Sequence, residues 1–289
     1  PKPAPAPKPA PGPTGTLTVA LSSFGNENWL YHLASPGTRA VENMYSDVLI
    51  ESEVGGELKP ELAESWEIAP GYTSLTLHLH KGVQFHDGWG EVTAEDVKFT
   101  LSLLWEEDSL HASTGMMKQT LGSVDNMEVV DKYTLRLHLQ EPVAGFENYF
   151  TGEAAIIHTV PKRYIEEFGV EVANRHPIAT GPWKFVEHVS GQYVKLEAVE
   201  NHYRQTPAYK YLVVQLIDEM ATRMAALKTG EVDMIEAKIS FLKEMEKMGL
   251  TTFSVGEVGH VYAVFGGNSL PEREGYDPTV PWVDGDDPE

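Results

Sequence analysis

Three segments of the chain alternate apolar and polar residues, the pattern of a strand with one buried face. In Leu17–Leu21, leucine and valine alternate with Thr18 and Ala20. Leu75–Leu79 and Leu135–Leu139 each place leucine at every second position, with polar residues between. The pattern predicts an opening strand and two later strands, and the two later ones are expected to have one apolar and one polar face.

A helix is predicted to begin after Thr93. Thr93 and Asp96 have the spacing of a capping box, in which each side chain binds the backbone N–H of the other residue. Val97, Leu101 and Leu104 then follow at the spacing of a single buried helical stripe.

A second helix is predicted from Asp218, with Met220, Met224 and Leu227 on one face and Gly230 as its C-terminal stop. The two methionines favour core packing over a soft-metal site. Because strands and helices are mixed along the chain, the predicted fold class is α/β.

The amino-acid composition excludes several classes of function and of site. The 289 residues include 22 basic and 43 acidic side chains, a formal net charge of −21. This balance argues against nucleic acid and anionic membrane surfaces, which attract basic patches. There is no cysteine, which excludes disulfides, thiolate metal sites, cysteine nucleophiles and iron–sulfur clusters.

The two ends differ from the rest of the chain. Pro1–Pro13 contains seven prolines, which favours an extended polyproline tether over a ligand for a signalling domain. Leu270–Glu289 is rich in Pro, Gly and Asp without a regular period, and predicts a loop directly after the strand-like Val261–Phe265. We therefore expect the chain to be cut short. Tyr211–Ile217, among the longest apolar runs, is too short to span a bilayer.

The search for catalytic and metal motifs favours a binding protein. His78, His80 and His86 could form a metal site, but His78 and His80 fit better on the solvated face of a strand. No nucleophile elbow, zinc-protease helix or phosphate loop is present in the sequence. Adjacent acids such as Glu106–Glu107 and Asp218–Glu219 could serve a glycosidase, but such pairs arise by chance among 43 acids. We expect no enzyme activity, metal or cofactor.

Several short motifs follow one another in order: Pro60–Trp66, Leu75–Lys81, Gly82–Gly88, Val92–Val97, Glu141–Pro142, Thr180–Trp183, Asn201–Tyr203 and Gly230–Asp233. Together they resemble the family 5 extracellular solute-binding proteins, the peptide- and nickel-binding type that serve ABC importers. The resemblance covers about residues 16 to 289.

The resemblance implies a periplasmic-binding-protein-like (type II) fold, in which two α/β lobes close on a ligand. It divides the chain into a tether at 1–15, lobe one at 16–255 with an inserted subdomain at about 96–164, and the crossing and start of a truncated lobe two at 256–289. Family members usually continue well beyond this point. Because closure needs both lobes, we expect the isolated chain to bind ligand weakly or not at all.

The resemblance also indicates ligand-binding residues in the loop after the first strand, in the inserted subdomain and at the crossing: Phe24, Asn26, Trp29, Gly115, Met116, Phe265 and Asn268. Aromatic rings and amides suit an extended peptide, whose side chains and backbone they contact. Ordinary loop packing is the alternative for each.

The leading hypothesis is an extracytoplasmic, monomeric binding protein, tethered as a lipoprotein, that passes a peptide or other small solute to an ABC permease. Dipeptide, oligopeptide, sugar, nickel chelate and opine all remain open. The alternative is a partner-dependent interaction or sensory module built on half of this fold. Neither involves nucleic acid or direct insertion into the membrane.

Overall fold

The structure is a computed structural model that describes residues 12–53, 56–151 and 157–253. The strands are β1 Thr16–Leu21, β2 Ile50–Ser52, β3 Leu58–Pro60, β4 Ala63–Ile68, β5 Ser74–Leu79, β6 Met127–Asp131, β7 Thr134–His138, β8 Trp183–Val189, β9 Tyr193–Ala198, β10 Tyr211–Leu216 and β11 Met234–Ile235. The helices are α1 Arg39–Tyr45, α2 Ala94–Ser102, α3 Thr114–Leu121, α4 Lys162–Arg175, α5 Met220–Thr229 and α6 Leu242–Lys247.

The predicted opening strand lies inside a five-stranded sheet with the order β11-β1-β10-β9-β8. Strand β1 is parallel to β10 and β11, whereas β10, β9 and β8 are antiparallel neighbours. Leu17 and Val19 pack on one core, and Ala20 is fully buried on the other face with Ala226 and Val232. Strand β1 is therefore an inner strand that is covered on both sides.

The other two predicted strands are confirmed as β5 and β7, and the structure pairs them as antiparallel neighbours in a four-stranded sheet with the order β4-β5-β7-β6. Leu77 is paired with Leu135, and the leucines of both strands are buried in the larger core. Helices α2 and α4 supply buried residues to the same core. One face of this sheet is therefore packed, as the alternation predicts.

Both predicted helices are present. The capping box of α2 is complete, because Asp96 N–H donates to Thr93 Oγ1 at 3.4 Å and Thr93 N–H donates to Asp96 Oδ2 at 3.0 Å. Helix α5 begins at Met220, two residues after the predicted start, and ends at Gly230 in the left-handed region. Its methionines pack against Met245 of α6, which confirms them as core residues.

The larger core contains residues from distant parts of the chain. It includes Leu49, Leu62 and Ile178 as well as the buried side of α2. Strands β4 and β5, which form half of the four-stranded sheet on this core, precede residue 96. The inserted subdomain at about 96–164 stays a prediction. The described residues up to Leu250 belong to one compact unit.

No helix within 12–53, 56–151 or 157–253 has both the length and the apolar character needed to cross a bilayer.

Candidate functional site

The parallel strands β1, β10 and β11 end at one edge of the five-stranded sheet, and ligands of open α/β sheets bind outside such carboxyl ends. The side chain of Arg223 links the backbone segments at this edge by hydrogen bonds. Its Nη1 donates to the carbonyls of Ile217 at 2.5 Å and Asp218 at 2.7 Å, and its Nε donates to that of Glu236 at 3.0 Å. Arg223 is 1% exposed, so its charge serves the backbone and not a ligand.

Glu236 follows β11 and joins this edge to the first loop. The backbone N–H and the hydroxyl of Ser22 donate to Glu236 Oε2 at 2.7 Å and 2.6 Å. Partial burial opposes ionisation of Glu236, but the bonds from Ser22 outweigh it and lower the pKa of the carboxyl. An ionised carboxylate therefore lies at the exposed edge of the sheet.

Two of the three predicted residues in the first loop are core residues. The ring of Phe24 is 1% exposed and that of Trp29 is 2% exposed, and their centroids lie 6.2 Å apart. Asn26 is exposed, and its amide closes the loop by donating to Leu33 O at 2.8 Å and accepting from Ser35 N at 3.0 Å. The loop therefore presents Asn26 to solvent on an aromatic base.

Glu27 fixes the same loop to the turn between β8 and β9. Its backbone is left-handed, with φ of 54°. The carboxylate accepts from Ser190 Oγ at 2.5 Å, from Gly191 N at 3.0 Å and from His188 Nε2 at 3.0 Å. Burial opposes ionisation of Glu27, but these bonds lower its pKa overall.

The imidazole of His188 is fully engaged. Trp29 Nε1 donates to His188 Nδ1 at 3.2 Å, so Nδ1 is unprotonated and the proton on Nε2 points to Glu27. This pair resembles the histidine–carboxylate half of a catalytic triad. However, an imidazole whose free nitrogen already accepts a bond from an indole holds the loop in place instead of acting as a base.

A pocket of about 590 Å³ opens beside this loop. Its lining residues are Asn26, Glu27, Asn28, Trp29, Glu171, Asn174, Arg175, His188 and Ser190. Of the predicted ligand-binding residues, the structure brings Asn26 and Trp29 together here. A second pocket, of about 570 Å³, is lined by Glu51, Pro182, Trp183, His202, Arg204, Gln205, Pro207 and Ala208 and includes none of them.

Gly115 and Met116 lie on α3, outside both pockets. Gly115 is exposed, with open space where a β-carbon would be, and Met116 is half-buried. The segment before α3 contacts the first loop, because Leu110 N donates to His32 O at 2.7 Å. Phe265 and Asn268, together with the predicted strand at 261–265, lie outside the described residues.

A buried ionic cluster between the two cores was not foreseen from the sequence. Arg204 Nη2 donates to Glu61 Oε1 at 2.7 Å and also to Asp47, whose side chain has no exposed surface. His202 and Tyr203 contact the same carboxylate of Asp47. Burial opposes ionisation of Asp47, but His202 and Arg204 hold its pKa below the ordinary range. Burial raises the pKa of Glu61, and the charge of Asp47 adds to this.

The only sequence signal for this cluster is the motifs, which supply Glu61, His202 and Tyr203. His86 comes from another motif, and its ring lies 2.8 Å from Gly181 O. Burial lowers the pKa of His86 to about 4. Residues from these motifs therefore come together where the two cores are in contact, and their hydrogen bonds and ion pairs stabilise the fold there.

The three histidines weighed as metal ligands have other contacts. His78 and His80 are half-buried and lie 3.7 Å from Glu67 and Glu64, respectively. In the part of the chain that the structure describes, no three histidine or acidic side chains are arranged to hold a metal ion.

Residues 57–270 match the family model of the bacterial extracellular solute-binding proteins, family 5 Middle. The chain belongs to this family. Family 5 membership accounts for the order of the motifs, all of which fall within the matched range.

Among family 5 relatives, the oligopeptide-binding protein AppA of Bacillus subtilis is 29% identical over 212 residues, which are 72% of this chain and 38% of AppA. The structure of AppA in complex with a nonapeptide has a TM-score of 0.69 at 27% identity, covering 82% of this chain and 47% of that one.

Two other solved relatives have different ligands. The periplasmic binding protein DppA of Helicobacter pylori, in complex with the peptide STSA, has a TM-score of 0.71 at 26% identity, covering 81% of this chain and 49% of that one. NikZ of Campylobacter jejuni, in complex with Ni(L-His), has a TM-score of 0.67 at 25% identity, covering 80% and 45%. The chain thus spans less than half the length of these relatives, and it has their type II binding-protein fold.

Proposed function

We propose that the protein is the extracytoplasmic binding component of an ABC importer, and that this chain supplies the first lobe of its ligand cleft. The carboxyl edge of the five-stranded sheet carries the proposal. There Arg223, Glu236 and Ser22 hold the strand ends and the first loop in one arrangement. A fixed surface of backbone and amide groups is suited to binding a ligand without covalent chemistry.

Within this proposal, the exposed Asn26 contacts ligand from the first loop, and Gly115 and Met116 contact it from α3. Phe24 and Trp29 are buried beneath the loop and support it as an aromatic base. Phe265 and Asn268 complete the set as predicted from the sequence alone.

We propose a peptide as the solute, because the relatives named above include an oligopeptide-binding protein and a binding protein solved with a peptide. An ABC permease would receive it. Pro1–Pro13 would serve as the tether of a lipoprotein outside the cytoplasm. The alternative, a partner-dependent interaction module, is less favoured because those relatives are binding proteins.

Native mass spectrometry of the protein purified from its source tests the proposal. We expect an additional small mass that is lost on denaturation and that exchanges with peptides from a tryptic digest of casein. A protein that retains no mass, both as purified and after incubation with the digest, would contradict it. Residues 1–289 alone should retain far less peptide, because closure needs a second lobe.

A further inference from the structure

Asn174 makes three hydrogen bonds to the first loop from the last turn of α4. Its Oδ1 accepts from Trp29 N at 2.7 Å and from Leu30 N at 3.0 Å, and its Nδ2 donates to Asn28 Oδ1 at 2.7 Å. The two segments are about 145 residues apart in sequence. One half-buried amide therefore determines the path of three consecutive loop residues.

We propose that Asn174 is the positioning residue of the ligand-binding loop. The inference rests on the proposed function only in that this loop contacts ligand. Asn174 itself acts through the backbone of Trp29 and Leu30, since its amide oxygen is occupied by their N–H groups.

An amide is the side chain that this position requires. The carbonyl oxygen must accept two N–H groups, while the nitrogen must donate to Asn28 Oδ1. Aspartate can accept both N–H bonds. Its second carboxylate oxygen, however, would face Asn28 Oδ1, and neither of these two oxygens can donate a hydrogen bond. Leucine, of similar size, makes none of the bonds and leaves two backbone donors without their partner, which is costly in a part-buried site.

The loop is held from its other side by Glu27, which is bound to the turn between β8 and β9. Asn174 belongs to a helix of the larger core, whereas β8 and β9 belong to the five-stranded sheet. Each core thus supplies one anchor. The left-handed backbone of Glu27 is unfavourable for a residue with a β-carbon, so this conformation depends on both anchors.

Hydrogen exchange in N174L and N174D tests the proposal. In N174L we expect the amides of Trp29 and Leu30 to exchange about tenfold faster, the effect of losing one hydrogen bond. In N174D, which keeps both acceptors, their protection should largely return. E167Q, an exposed change on the same helix, is the control and should match the wild type.

A purely structural role would lower protection throughout the molecule and would not be rescued by aspartate. Unchanged exchange at Trp29 and Leu30 in N174L, or an equal loss in N174D, would overturn the proposal.

Binding provides the second readout, in the protein purified from its source and incubated with the casein digest. We expect N174L to retain at least about fivefold less peptide than E167Q, with N174D between them; equal retention in N174L and E167Q would refute the proposal. If the wild type retains no peptide, the proposed function fails, while the exchange result still decides whether Asn174 sets the loop.

Discussion

Gly181 lies directly against the backbone of Tyr45. Its N–H donates to Tyr45 O at 2.9 Å, and a β-carbon at position 181 would lie 2.5 Å from the carbonyl carbon of Tyr45. Two non-bonded carbon atoms cannot lie so close together, so a β-carbon at position 181 would force one of the two backbones to move. The glycine in the Thr180–Trp183 motif is therefore explained by contact between the two segments.

We expect Gly181→Ala to lower the free energy of unfolding by about 3 kcal/mol, because overpacking against rigid backbone cannot be relieved by a side chain. Urea unfolding followed by circular dichroism would measure this. Gly115→Ala is the matched control, since open space surrounds that position in α3. It should be neutral or stabilise the protein by up to about 1 kcal/mol; a similar loss in both variants would contradict the explanation.

Arg204 binds two carboxyl groups that are almost completely buried, those of Asp47 and Glu61. Arg204→Met should cost about 3 kcal/mol of stability, because Asp47 would be left as a buried charge without its arginine partner. Adding Asp47→Asn to that variant should recover part of the loss. Arg175→Gln removes an arginine from an exposed pair with Glu171 and should cost less than about 0.5 kcal/mol. Additive losses in the double variant would show that the pair is not coupled.

The buried carboxyl group of Glu42 should make the stability of the protein depend on pH. Burial raises the pKa of its carboxyl from 4.5 to about 8. Between these values the carboxyl of Glu42 keeps a proton in the folded protein that the unfolded chain has released, so the contribution of Glu42 to stability should fall as pH rises through this window. Glutamine cannot ionise, so Glu42→Gln should be the more stable protein at pH 8.5.

The gain should be a few kcal/mol, since each pKa unit corresponds to about 1.4 kcal/mol. Thermal unfolding of the wild type and Glu42→Gln between pH 4.5 and 8.5 would measure it, with Glu167→Gln as an exposed control. Parallel curves for wild type and Glu42→Gln would rule out a raised pKa.

The capping box of α2 should contribute measurably. Thr93→Ala removes the hydroxyl that accepts from Asp96 N and should cost about 1 kcal/mol. Ser113 precedes α3 without a side-chain capping bond, so Ser113→Ala should change stability by less than about 0.5 kcal/mol. Equal effects in denaturant titrations would show that the box contributes nothing specific.

Local patterns predicted the parts of the fold that depend on neighbours in sequence. The leucine alternation identified β5 and β7, and the spacing of Thr93 and Asp96 identified the start of α2. The burial of Ala20 could not be predicted this way, because α5 covers β1 from about 200 residues further along the chain. The joining of β4 and β5 to β6 and β7 in one sheet could not be predicted for a similar reason, since these two pairs of strands are distant in sequence.

The candidate site shows the same division. The position of the first loop after β1 could be predicted, and the structure places Asn26 and Trp29 in one pocket. The anchors of that loop could not, because Asn174 and His188 meet it across about 150 residues. The pairing of Asp47 with Arg204 has no local signal either.

The methionine cluster between α5 and α6 has a chemical consequence. The chain contains nine methionines and no cysteine, so all of its sulfur is in thioethers. Met220, Met224 and Met245 are 6–7% exposed, whereas Met234 is 45% exposed. A mild oxidant would convert Met234 to its sulfoxide first. Only a harsher one would place a polar oxygen between the two helices and detach α6.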